Sequence, residues 1–308
     1  MALEEIASIR ISSAYIEHPI AKYADGIPGN VMDITCIPAG NNTVWRLKSA
    51  ESAEGIPEEV VFTIHGILVE SDLPPVTRPF ARHVVNLLHI ESLSPRHAQQ
   101  RITVTGLDTP AFNTAVHGLA SVENFLRLNV RDESISQIGT TINGHHVIDI
   151  SNRYFTGRRY ADGTDREELS VEVDPNGFLA ELQGEHFIHT SENRVEYYQR
   201  FTSPSGEHHF RKIAPVQIRN GDILEIQFTI VLIDKKIGKG RDMRQTFSVK
   251  YVLRSITLLN RTFSEHQRMT MLSTAKRLTL KRKVGHGDEE AKETQERMKR
   301  MAIDGVRQ

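Results

Sequence analysis

Cysteine is nearly absent: Cys36 stands alone in 308 residues. This excludes an internal disulfide framework and any zinc or iron–sulfur site built on several cysteines, and it fits a reducing compartment. Tryptophan is as scarce, and the one indole, Trp45, is of a size that suits a core anchor. No apolar run approaches the ~20 residues that span a bilayer. The early acids Glu4 and Glu5, with no long apolar stretch behind them, argue against a secretory signal. The expectation is an intracellular protein, nuclear or cytoplasmic, with no membrane partner.

Signatures of chemistry are missing as well. There is no Gly-x-Ser-x-Gly elbow, no phosphate-binding Gly-x-x-x-x-Gly-Lys-Ser/Thr loop and no Gly-x-Gly-x-x-Gly turn. Fourteen histidines invite a metal, but their spacing does not converge. His186 and His189 are three apart, which in a strand sends them to opposite faces. His145–His146 and His208–His209 are adjacent and diverge likewise. The acids of 162–168 lack the glutamate that closes a calcium loop. No cofactor and no catalytic residue is expected, although an enzyme stays open as a third possibility, with the histidine-rich loops as the place to look.

What the chain does have is a split in charge. Residues 235–283 hold fourteen Lys/Arg against two acids, a formal +12, whereas 1–234 hold nineteen against thirty-one, a formal −12. The total of −1 conceals this asymmetry, which points to a polyanionic partner. The basic part opens on the loop of Lys235, Lys236, Lys239, Arg241 and Arg244, between the apolar run ILEIQFTIVLI (223–233) and a second strand-like run, 246–259. In that second run period-two alternation sets Lys250 and Arg254 on one face. Lys276, Arg277, Lys281, Arg282 and Lys283 close the segment.

Alternation and turn residues outline the rest. Segment 1–56 is irregular, punctuated by Pro and Gly, with 9–11 and 43–47 as short strand candidates. Segment 57–140 reads as a β-rich first part, with strands at 60–69 and 102–106; residues 80–92 are ambiguous and 119–130 suit either helix or strand. From 141 to 262 strands recur, at 147–151, 168–173 and 194–201, with turns at 174–177, 203–206 and 219–222. This argues a mainly β fold, an antiparallel sandwich or OB-like barrel with few helices. Residues 263–308 read as a helical tail, basic and then of mixed charge.

Two resemblances follow from these residues. The strand opened by Gly221-Asp222, the basic hairpin and the long strand with RSITLL (254–259) look like the closing part of an OB-type barrel over 215–262. More broadly, DPNGFLAELQGEHFIHTSENRVEYY (174–198) together with those strands resembles uncharacterised multi-copy proteins of mushroom-forming fungi, over about 140–285. That resemblance implies no activity and assigns no residue a role.

Two functions fit. In the first, a non-enzymatic protein binds nucleic acid, single strands preferred, because clustered cations release counterions from phosphates and aromatic rings stack on bases. Lys235, Lys236, Lys239, Arg241, Arg244, Lys250 and Arg254 would hold phosphates, the cations of 276–283 would form an arm, and Tyr197 and Tyr198 are candidate stacking rings. In the second, a self-assembling scaffold docks its basic segment on the acidic body of a neighbouring copy. Plain solvated surface charge, or a nuclear-localisation signal, is the bland reading of the same cations.

Overall fold

The structure is a computed structural model that describes residues 19–28, 32–39, 42–49, 58–77, 94–130, 141–161, 166–237, 244–277 and 292–299. Its strands in chain order are β1 (Met32–Ala39), β2 (Asn42–Ser49), β3 (Phe62–Asp72), β4 (Gln99–Thr105), β5 (Thr141–Ile142), β6 (His145–Arg153), β7 (Thr156–Gly157), β8 (Phe187–Ile188), β9 (Glu196–Thr202), β10 (His208–Lys212), β11 (Ile223–Ile237) and β12 (Arg244–Asn260). The helices are α1 (Pro110–Val130), α2 (Phe178–Gln183) and α3 (Thr262–Arg277), and residues 292–299 are helical. The chain divides into two compact units, Met1–Ser264 and Glu265–Gln308.

The first unit is built on a closed ring of five strands. β3 pairs β4 and β4 pairs β6, both antiparallel. β6 runs parallel to β12. The antiparallel hairpin β11–β12 returns the ring to β3 through β11. Numbered within the ring, the strands follow the order 1-2-3-5-4 and back to 1, which is the Greek-key closure of an OB-fold barrel. The protein is mainly β, and of the two architectures expected it is the barrel. The barrel is not confined to 141–262, however: β3 and β4 supply two of its five staves.

Period-two burial explains the closure. Leu224, Ile226, Phe228, Ile230 and Leu232 of β11 are at most 1 % exposed, and Phe62, Ile64, Ile102, Val104, Ile148, Ile150, Leu253, Ile256 and Leu258 meet the first four in one core. Each such side chain contributes about 1.5–3 kcal/mol by leaving water. The rings of Phe62 and Phe228 pack 6.0 Å apart.

Helix α1 settles the ambiguity of 119–130. Its buried positions Phe112, Ala115, Leu119, Val122 and Leu126 recur at steps of three and four, the stripe of a helix that covers a core. A 3-10 turn, Ile20–Tyr23, packs on this helix at Gly118. A Cβ there would stand 2.0 Å from the Ile20 carbonyl oxygen, so only glycine admits the approach.

Sheet pairing extends beyond the ring on both sides. β1 and β2 form a hairpin attached to β11 at 231–233, so the segment 1–56 is not irregular throughout. β9 and β10 attach to β12. Between β6 and β9 a second small core gathers Tyr154, Phe155 and Leu179 against Val76 and Ala98. Here the strand expected at 168–173 fails. Residues 168–173 alternate like a strand but form irregular backbone and a turn, and 178–183, FLAELQ, is the helix α2; Leu169, Val173, Phe178, Leu179 and Leu182 are used by this local cluster. The turn at 174–177 holds, with Gly177 at φ 71°. The turn at 219–222 also holds, with Gly221 at φ 90° and its amide on the Leu68 carbonyl.

In the second unit the described residues are helical, and Met269 and Met271 are exposed. The tail is therefore helical where it is described. Residues 80–92, also left ambiguous, lie outside the described residues. No helix among the described residues is long and apolar enough to cross a membrane.

Candidate nucleic-acid interface

The cationic residues of β11 and β12 come together through strand register. Val231 faces Lys250 across the hairpin and Arg46 across the β2 junction, so Arg46 and Lys250 stand in one row on one sheet face. Steps of two extend that face. Lys48 follows Arg46, and Arg254 follows Lys250 by four. In the other direction the backbone pairing of the hairpin continues through Lys235↔Thr246 to Ile237↔Arg244. Among the residues whose side chains are described, four cations, Arg46, Lys48, Lys250 and Arg254, from two strands thus share this surface. Against them on that face stand Glu59 and Glu192.

The inner end of this face is neutralised. Arg254 donates from Nη2 to Glu59 Oε2 at 2.7 Å and to Glu192 Oε2 at 3.2 Å, from Nη1 to the Glu192 carbonyl at 3.1 Å and from Nε to Thr229 Oγ1 at 3.3 Å. Arg46 binds the same two carboxylates, Glu59 at 3.2 Å and Glu192 at 3.0 Å. Burial pushes the Glu192 carboxyl up, but the charges and hydrogen bonds of Arg46 and Arg254 more than reverse this and hold it below its ordinary range. Arg254, expected to hold phosphate, is instead the centre of an ion-pair knot joining β12, β11, η-turn residue Glu192 and the strand lead-in at Glu59. Four hydrogen bonds engage its five N–H donors.

Other expected residues divide in the same way. Tyr197 is 7 % exposed and donates its hydroxyl to Gln100 Oε1 at 2.5 Å; it is a core residue and offers no ring face to a base. Its phenol is pushed well up, chiefly by burial. Tyr198, one position on, points to the other face and is half-buried opposite Lys212. Lys235, Lys236 and Arg244 belong to the outer part of the β11–β12 hairpin. Lys276 and Arg277 end α3. Lys239, Arg241, Lys281, Arg282 and Lys283 lie outside the described residues. Arg46 and Lys48 were missed by sequence reasoning. They sit in an acidic half of the chain, and only strand pairing reveals their neighbours.

The face that OB-folds commonly use, on the second and third barrel strands, is less suited to a polyanion here. On β4, Arg101 is flanked by Glu70 and Asp72, each at 3.8 Å, and Thr103 donates to Asp149 at 2.5 Å. Among the described residues no three His, Cys, Asp or Glu gather in a way that would hold a metal.

A second cationic surface lies at the other end of β12. β9 runs parallel to β12 from the pair Glu196↔Ser255 to Gln199↔Leu258, so the β9–β10 hairpin points away from the β11–β12 hairpin. It carries Arg200, Arg211 and Lys212, with Phe201 and Phe210 exposed at 47 % and 43 %.

No family model matches the chain, and no curated protein does. Three solved chains match. One is the crystal structure of gp2.5, a single-stranded DNA binding protein encoded by bacteriophage T7, at 10 % identity and a TM-score of 0.30, covering 65 % of this chain and 86 % of that one. A likeness of that size carries no argument about what this chain binds.

Proposed function

We propose that this protein binds single-stranded nucleic acid, without reading sequence, along the face formed by β2, β11 and β12. The observation that carries the reading is the register that lines Arg46, Lys48 and Lys250 along one face at the base of the β11–β12 hairpin, whose outer part carries Lys235, Lys236 and Arg244 in its sequence. A phosphate chain laid along such a row exchanges condensed counterions for protein cations, which supplies affinity without base contacts. The Arg254–Glu59–Glu192–Arg46 knot holds the inner end of the row in place, and the hairpin residues beyond it hold phosphates. The OB-type barrel is a known carrier of such surfaces, a fold-level analogy only.

The test is fluorescence anisotropy of a labelled oligonucleotide over a salt series. The expected result is binding at low salt that falls with a slope of about −0.7 per phosphate contact. Replacing Lys235, Lys236, Lys239, Arg241 and Arg244 together by glutamine should flatten that slope by about 2–3. No binding at low salt, or an unchanged slope in the variant, overturns the proposal. Light scattering on the same samples reads the competing outcome: salt-sensitive oligomers without nucleic acid would mean that the basic surface meets an acidic surface of another copy.

A further inference from the structure

The β9–β10 hairpin combines features that the β11–β12 face lacks. Its strands pair from Lys212↔Tyr198 to His208↔Thr202, and β10 ends the strand order, so one edge of the hairpin is unpaired among the described residues. The pair Phe201↔His209 puts two rings on one face, stacked with centroids 5.5 Å apart and planes 28° from parallel. Gln199 and Arg211, paired next but one, continue that face, and Arg211 donates to Gln199 Oε1 at 3.4 Å. On the opposite face Phe210 lies directly across from Arg200.

Exposed phenylalanines need a reason. Phe201 and Phe210 leave close to half their surface in water, although each would contribute about 1.5–3 kcal/mol if buried. The strands alternate ring and guanidinium on each face. That pairing suits a ligand with flat apolar faces and negative charges at short intervals, and single-stranded nucleic acid has both. An acidic peptide has the charge without the flat faces. We infer that the β9–β10 hairpin is a base-stacking platform, in which a nucleobase extends the Phe201–His209 stack while Arg211 on the same face takes a flanking phosphate, and Phe210 beside Arg200 offers a second ring and cation on the opposite face.

This inference rests on the nucleic-acid reading above, yet it is a separate surface at the opposite end of β12 and of a different kind: stacking there, charge on the β11–β12 face. The experiment separates them by using the full-length protein with two 20-mers of equal charge, oligo-dT and an abasic strand. The wild type should bind oligo-dT about tenfold or more tightly than the abasic strand. The variant F201A/F210A should lose that preference while keeping the salt slope. A second variant, F201W, places an indole in the stack, and oligo-dT but not the abasic strand should quench it. Equal affinity for both strands in the wild type, or a preference unchanged in F201A/F210A, overturns the platform and leaves the β11–β12 reading standing. Failure to bind either strand overturns both.

Discussion

Replacing Arg254 by methionine tests whether this residue holds the fold or holds the ligand. Methionine keeps the apolar stem and removes four donated hydrogen bonds, among them the 2.7 Å bond to Glu59. With side chains 17 % and 23 % exposed, that charge-assisted bond contributes about 1.5–3 kcal/mol. Glu192, 47 % exposed, is screened by water and adds no more than about 1 kcal/mol. The expected loss is about 2–3 kcal/mol at neutral pH, read by urea denaturation. It should depend on pH with a definite sign. The folded carboxyl of Glu192 titrates below its unfolded value, so its contribution is full above about pH 4.3 and disappears as pH falls through the lower folded value. The gap between R254M and wild type should narrow in acid. R254K, which keeps the charge but not the fork, should fall between the two. An unchanged urea midpoint at neutral pH, together with weakened oligonucleotide binding, would refute the reasoning and return Arg254 to the phosphate-binding set.

Other substitutions give equally direct readings. G118A should destabilise the protein by about 1–2 kcal/mol although alanine is the better helix former by about 1 kcal/mol, because the new methyl meets the Ile20 carbonyl and overpacking of this kind costs about 1–3 kcal/mol; a raised urea midpoint would contradict the α1 packing. Y197F should cost about 1–3 kcal/mol by leaving buried Gln100 without its donor, with oligonucleotide affinity unchanged, whereas lost affinity at full stability would mean that the ring stacks on bases after all. T103V, which deletes the hydroxyl bonded to Asp149, should leave the salt slope of binding unaltered if the β4–β6 face is not the nucleic-acid surface, and a steeper slope or tighter binding would put it on the path.

Elements whose side-chain period matches their environment were legible without coordinates. β3, β4, β6 and the β11–β12 pair alternate or run apolar because one of their faces is always buried, and a two-residue period is local information. Turns at 174–177, 203–206 and 219–222 were legible for a similar reason, since glycine at positive φ and proline act on their own backbone. Helix α2 was not, because FLAELQ alternates well enough for a strand and becomes helical where its apolar side chains meet Tyr154 and Phe155 of the small core. The run 168–173 failed for the same cause, with Leu169 and Val173 packed in that small core.

The amino-acid order alone determined the mainly β character, the cationic hairpin and the shared face of Lys250 and Arg254, since each depends on residues a few positions apart. Tertiary structure decided the rest. Whether a charge is free depends on what lies opposite, and the carboxylates that occupy Arg254 come from residues 195 and 62 positions away. Arg46 joins the row only because β2 pairs with β11, and Tyr197 leaves it because β9 folds its ring into the barrel. Strand pairing between distant segments carries no local signature, so the membership of a surface is written in the fold.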